Sequence, residues 1–185
     1  SAELETVTQQ IDRMGQQTSL LLNNLLEWGK NNYFEQESSG YRFDAAPLLT
    51  ELARVYEVLA EAKGVTVMAS VPESYLLTAN PKDLSLIVRN LLDNSLKHTP
   101  KGGMVWLTAT RGVMSSATGS VIVVKDTDQL FYLQQVFAGR VKPQVGAHGL
   151  GLGLVLINDF TRKNGAAIHL SSQEGKGTAF SIILP

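Results

Sequence analysis

The chain has 185 residues, with 16 lysines and arginines against 17 aspartates and glutamates, a formal net charge of −1, and no cysteine. Disulfides and thiolate metal sites are therefore excluded, and the dispersed, nearly balanced charge carries no signature of a nucleic-acid or anionic-membrane binder. The length suits one fair-sized domain, or a smaller one with an appendage, and no apolar run reaches the roughly 18 residues of a membrane span.

In chain order, Leu4, Val7, Ile11, Met14, Thr18, Leu21, Leu25 and Trp28 alternate spacings of three and four. That is the heptad seam of a helix that packs on a partner helix. Leu20, Leu22 and Leu26 widen the apolar face, which favours a four-helix bundle built by dimerisation. Gly15 and Gly29 weaken the helix locally. After the polar residues 31–40 the composition becomes that of a compact α/β domain, so residues 1–36 and 41–185 are expected to form separate units. Tyr41-Arg42-Phe43 reads as a short strand. Asp44 and Pro47 open a helix with an expected apolar face of Leu48, Leu52, Val55 and Leu59, stopped at Gly64. Strands are predicted at 65–70 and 76–78. Asn80-Pro81-Lys82-Asp83 is then a helix start, with a capping amide, a proline in the first position and an acid in the first turn. Further strands are predicted at 104–110, 120–125, 166–171 and 178–184, with a helix over 152–163. Strands in neighbouring pairs separated by helices suggest a mixed sheet with helices over one face.

Two segments carry candidate chemistry. On the helix from Pro81, a rotation of about 100° per residue puts Leu84, Val88, Leu91, Leu92 and Ser95 toward a core. Asn90, Asn94 and Lys97 fall on another side, one turn apart, flanked by Asp93. Asparagine oxygens are hard neutral ligands suited to magnesium, and a lysine is a point charge for phosphate oxygens. A polar row of this kind is also what a solvated helix face looks like. Further on, Gly149-Leu150-Gly151-Leu152-Gly153 runs into a helix, where backbone N–H groups can converge on an anion; such glycines also serve as plain connectors.

The order Asn90-Leu91-Leu92-Asp93-Asn94-Ser95-Leu96-Lys97-His98-Thr99-Pro100, then Gly149-Leu150-Gly151-Leu152, then Gly175-Lys176-Gly177-Thr178 resembles that of sensor histidine kinases. The three segments are similar to the N box, the second glycine box and the closing Gly-x-Gly-Thr of the GHKL ATPase superfamily. The resemblance spans nearly all of residues 41–185. It implies an α+β fold, a two-layer α/β sandwich with a mixed, mostly antiparallel sheet and helices on one face. The opening helix, with Leu21-Leu22-Asn23-Asn24-Leu25-Leu26-Glu27-Trp28, is similar to the second helix of the dimerisation and histidine-phosphotransfer stalk.

What the resemblance implies is a Bergerat-type site for ATP and Mg2+. Asn94 would bind the metal with Asn90 as its companion, and Lys97 and His98 would contact phosphate or ribose. Asp126 would accept a hydrogen bond from the adenine amino group, and Thr178 would support that pocket. Gly149, Leu150, Gly151, Leu152 and Gly153 would wrap the triphosphate beneath a lid over residues 139–147. The implied activity is transfer of the γ-phosphoryl group to a stalk histidine and onward to a response-regulator receiver domain. The implied setting is a homodimer with a cytoplasmic catalytic domain, in a parent protein anchored in the inner membrane.

Two departures qualify that expectation. Where the family's first glycine box reads Asp-x-Gly-x-Gly, this chain has Asp126-Thr127-Asp128-Gln129-Leu130, so side chains replace both glycines beside the adenine position. Ala147 stands where the second box often has glycine. A degenerate GHKL module that binds ATP weakly and acts as a signalling scaffold is the alternative, and other GHKL ATPases are a more distant one. Moreover, none of the three histidines, His98, His148 and His169, occupies a phosphoacceptor position. The chain is therefore not expected to phosphorylate itself at the physiological position.

Overall fold

The computed structural model describes Val7, residues 40–114 and 117–127, Ile157, and residues 160–173 and 177–185. The predicted helix of residues 1–36 lies outside these apart from Val7, as does the segment Gly149–Gly153. The elements in order are β1 (Tyr41–Asp44), α1 (Ala46–Glu61), β2 (Thr66–Ser70), β3 (Leu76–Ala79), α2 (Pro81–His98), β4 (Met104–Met114), β5 (Ala117–Asp126), β6 (Ala167–Gln173) and β7 (Gly177–Leu184). Ile157 and residues 160–164 are helical, which places the end of the helix expected before β6 one residue beyond Lys163.

Five strands form one sheet in the order β2-β4-β5-β7-β6, while β1 and β3 pair antiparallel in a two-stranded sheet of their own. Only the β2–β4 pairing is parallel within the larger sheet; the other three ladders are antiparallel. Side chains alternate between the faces, so cross-strand rows such as Leu107–Val124–Phe180 and Ala109–Ile122–Ile182 point to one side. These rows share a single core with Leu49 and Leu52 of α1 and with Leu84, Val88 and Leu91 of α2. Both helices therefore cover the same face. The opposite face carries the alternate residues, including Trp106, over whose ring Lys125 sits with its ammonium 5.4 Å from the centroid.

Local chemistry sets the helix starts. The Asn80 side-chain oxygen accepts from the backbone N–H of Lys82 at 2.9 Å and of Asp83 at 3.4 Å, and Pro81 takes a position where no donor is needed. Lys97 and His98 lie in the last turn, where cations suit the helix dipole. At the start of α1, Asp44 Oδ1 accepts from Ala46 N at 3.0 Å and from Tyr75 N at 2.8 Å. One carboxylate thus starts the helix and ties it to the segment leading into β3. Those two bonds, with Ser74 assisting, hold the Asp44 carboxyl below its ordinary range. The turn that ends α1 needs Gly64, whose φ of +66° lies in the left-handed region.

The face of α1 differs from the expected one. Leu49, Leu52, Ala53, Tyr56 and Ala60 are buried, whereas Val55 and Leu59 are 45 % and 50 % exposed and Leu48 is half-buried. Only Leu52 belongs to both stripes. The expectation followed the branched side chains, but the helix lies down on its alanines, which let its backbone approach its neighbours closely, and on a tyrosine whose hydroxyl finds acceptors inside.

Candidate functional site

Helix α2 presents its predicted core side as expected: Leu84, Val88, Leu91, Leu92 and Ser95 are all buried beneath β4 and β5. Its polar row is graded by depth. Asn90 is buried, at 7 % exposure, Asn94 is half-buried and Lys97 is exposed. Among the described residues the Asn90 Nδ2 atom finds no hydrogen-bond partner. Leaving a buried amide donor unpaired costs about 1–3 kcal/mol, so its placement calls for an acceptor that the described residues do not supply. A magnesium–triphosphate group fits this chemistry: its water or phosphate oxygens can accept from Nδ2, while amide oxygens one turn apart are hard donors to the ion. Among the described residues no three His, Cys, Asp or Glu side chains cluster as a metal site. His98 closes the helix, half-buried.

Asp93, beside Asn94, faces α1. Its Oδ1 accepts from the Tyr56 hydroxyl at 2.6 Å, and the same hydroxyl reaches the Arg89 carbonyl at 3.2 Å. Burial raises the Asp93 carboxyl above its ordinary value, against the opposing pull of the Tyr56 hydroxyl and of the Arg89 and Lys63 charges. Burial, followed by the charge of Asp93, pushes the Tyr56 phenol well up. The phenol therefore remains the donor of this bond at neutral pH. One turn further along, Lys63 Nζ donates to the Leu96 carbonyl at 3.0 Å.

At the end of β5, Asp126 is completely buried and paired across the sheet with Thr178 at the start of β7. Thr178 N donates to Asp126 Oδ1 at 3.4 Å, and the Thr178 hydroxyl lies 3.1 Å from that of Ser172. The ladder with β4 closes just beyond, where Thr127 N donates to the Met104 carbonyl at 3.1 Å and Met104 N to Thr127 Oγ1 at 3.2 Å.

Two glycines make this corner possible. A Cβ on Gly177, whose φ is +82°, would stand 1.8 Å from the Asp126 carbonyl oxygen. A Cβ on Gly103 would stand 2.4 Å from Thr99 Cγ2 and 2.7 Å from Thr127 Oγ1. Gly103 thus sits between Thr99, the residue after α2, and Thr127, the residue after Asp126. The helix bearing the asparagines and the strand bearing Asp126 therefore end side by side.

Asn90, Asn94, Lys97, His98, Asp126 and Thr178 are thus carried on α2 and on the adjoining ends of β5 and β7. Gly149, Leu150, Gly151, Leu152 and Gly153 lie outside the described residues, as do Asp128, Gln129 and Leu130. Sequence reasoning gave no role to Gly103, Gly177 or Tyr56. Gly177 had a signal, since it sits in the quoted Gly-x-Gly-Thr segment. Tyr56 had none, because its partner is 37 residues away.

The fold has counterparts among known proteins. Residues 79–185 match the model of the family described as histidine kinase-, DNA gyrase B-, and HSP90-like ATPase. The chain is 31 % identical over 176 residues to the histidine protein kinase DivJ of Caulobacter vibrioides, an alignment that covers 89 % of this chain and 28 % of DivJ. It thus spans less than a third of that relative. Among solved structures, full-length ShkA in complex with AMPPNP superimposes with a TM-score of 0.68 at 22 % identity, covering all of this chain and 39 % of ShkA. The cytoplasmic segment of the histidine kinase QseC gives 0.60 at 18 % identity, covering 92 % of this chain and 93 % of that one. With more than half of its length matched by the family model, the chain belongs to the histidine kinase-, DNA gyrase B-, and HSP90-like ATPases.

Proposed function

We propose that residues 41–185 are the ATP-binding catalytic domain of a two-component sensor histidine kinase, and that residues 1–36 are the second helix of its dimerisation stalk. The observation that carries this reading is the buried Asn90 Nδ2, without a partner among the described residues, on the helix that ends beside Asp126. The relatives named as histidine kinases and the AMPPNP held by ShkA support it.

In this reading Asn94 and Asn90 offer amide oxygens to Mg2+, Lys97 neutralises phosphate charge, and His98 contacts phosphate or ribose. Asp126 accepts from the adenine amino group, with Thr178 holding its carboxylate in place. Backbone N–H groups of Gly149, Leu150, Gly151, Leu152 and Gly153 cradle the phosphates. A magnesium ion held there by Asn94 and Asn90 would neutralise phosphate charge. The γ phosphorus leaves the bridging oxygen of ADP and bonds to a nitrogen of a stalk histidine other than His98, His148 or His169. A receiver-domain aspartate of a response regulator then takes the phosphoryl group. Such transfer depends mainly on positioning and electrostatics, so the domain needs no covalent intermediate of its own. The setting proposed is a homodimer whose catalytic domains lie in the cytoplasm, where ATP is found.

The test mixes the chain with radiolabelled Mg-ATP and a stalk that carries the acceptor histidine. Label on that histidine, abolished by Asn94→Ala, is the expected result; labelling no higher than with the variant defeats the catalytic reading. A scaffold that has lost its nucleotide is the second reading, favoured by Asp128 and Leu130 where the family has glycines. Calorimetry with AMPPNP separates the two, since no detectable binding at millimolar ligand selects the scaffold.

A further inference from the structure

Tyr56 is 4 % exposed on α1, and its hydroxyl reaches two groups one turn apart on α2, the Asp93 carboxylate and the Arg89 carbonyl. Apolar core residues and the bond from Lys63 Nζ, just past α1, to the Leu96 carbonyl also join the two helices, and the Tyr56 bond is the one that ends on a side chain beside Asn94. A hydrogen bond is directional, and this one ends on the residue preceding Asn94, three residues from Asn90 and four from Lys97. Within a rigid helix these positions turn together. A rotation of about 10° sweeps an atom roughly 6 Å from the helix axis through about 1 Å. A displacement of that size can cost about 100-fold in a reaction governed by positioning. A phenylalanine would fill nearly the same volume but would leave the partly buried Asp93 carboxylate without this donor, at a cost in stability. What the bond adds beyond that stability is orientation.

We propose that Tyr56 and Asp93 are a positioning pair: their hydrogen bond sets the rotation of α2 and thereby the aim of Asn90 and Asn94 at the nucleotide-bound metal. This rests on the metal–nucleotide reading above. Neither residue needs to touch ATP.

The experiment is calorimetric titration of the whole 185-residue chain with AMPPNP, with and without Mg2+, alongside thermal unfolding of each variant. Tyr56→Phe is expected to cut the magnesium-dependent gain in affinity about tenfold while metal-free affinity stays within about twofold. Asp93→Ala should do the same. Asp93→Asn, whose amide oxygen still accepts from the phenol, should keep most of the gain. A full magnesium gain in Tyr56→Phe and Asp93→Ala overturns the proposal, as does an equal loss with and without the metal, the mark of general loosening. Equal behaviour of Asp93→Asn and Asp93→Ala also overturns it. Should Tyr56→Phe fail to fold, the two Asp93 variants carry the comparison alone. Absence of any nucleotide binding by the unaltered chain sinks the underlying reading instead, and the two failures cannot be confused.

Discussion

Helix α1 and the region around α2 place polar groups against the same core but finish them differently. Around α1 the polar groups described find their partners within the protein: the half-exposed Asp44 takes two backbone donors, and the buried Tyr56 hydroxyl has two acceptors. On α2 the Asn90 amide is buried with Nδ2 unpaired among the described residues. The apolar side chains are reversed as well, since α1 leaves Val55 and Leu59 half in solvent while the predicted core residues of α2 are all inside. The difference separates polar groups that serve the fold from those that await a ligand. A fold-serving group is worth stability when kept, whereas a ligand-serving group costs stability until the ligand arrives.

Substitutions can break or sharpen this contrast, starting with the largest effect. Gly177→Ala drives a Cβ into the Asp126 carbonyl at a positive φ, and should cost about 3 kcal/mol in urea denaturation. A midpoint within error of the parent would mean that the β5–β7 corner is not so tightly closed. Asn90→Leu removes an unpaired amide at similar volume. Its stability should stay within about 1 kcal/mol of the parent or rise, while Mg-AMPPNP affinity falls at least about tenfold. A large loss of stability with binding intact would return Asn90 to the structural group.

For Asp44 the contrast predicts a pH dependence. Its folded carboxyl is held below the unfolded value, so its stabilising contribution is complete above that value, near pH 4, and disappears as pH falls through the lower folded one. The gap in thermal midpoint between the parent and Asp44→Ala should therefore be widest at neutral pH and close in acid. A gap that grows on acidification would contradict the stabilising role of these two bonds. The smallest effect is expected at Ser95, buried at 1 % exposure with its hydroxyl unpaired. Ser95→Ala should stabilise the chain by about 1 kcal/mol in the same denaturation assay.

Much of this region was legible without coordinates. The start of α2 was readable because a capping asparagine, a first-turn proline and an acid act within four residues of one another, and its two faces followed from helical periodicity. The strand cores were found by alternation, but their lengths were not. The β4–β5 hairpin continues past Thr110 through paired Gly112 and Gly119 to Met114 and Ala117, because backbone ladders extend where no apolar run announces them.

Identity and local geometry were therefore written in the order of residues: the family, the helix that carries Asn90, Asn94 and Lys97, and the strand that ends at Asp126. Packing alone decided which stripe of α1 faces inward, that Tyr56 grips Asp93, and that Gly103 and Gly177 let α2, β5 and β7 end together. The first group depends on interactions that repeat every two to four residues. The second depends on which surfaces meet across dozens of residues, and no local period records that.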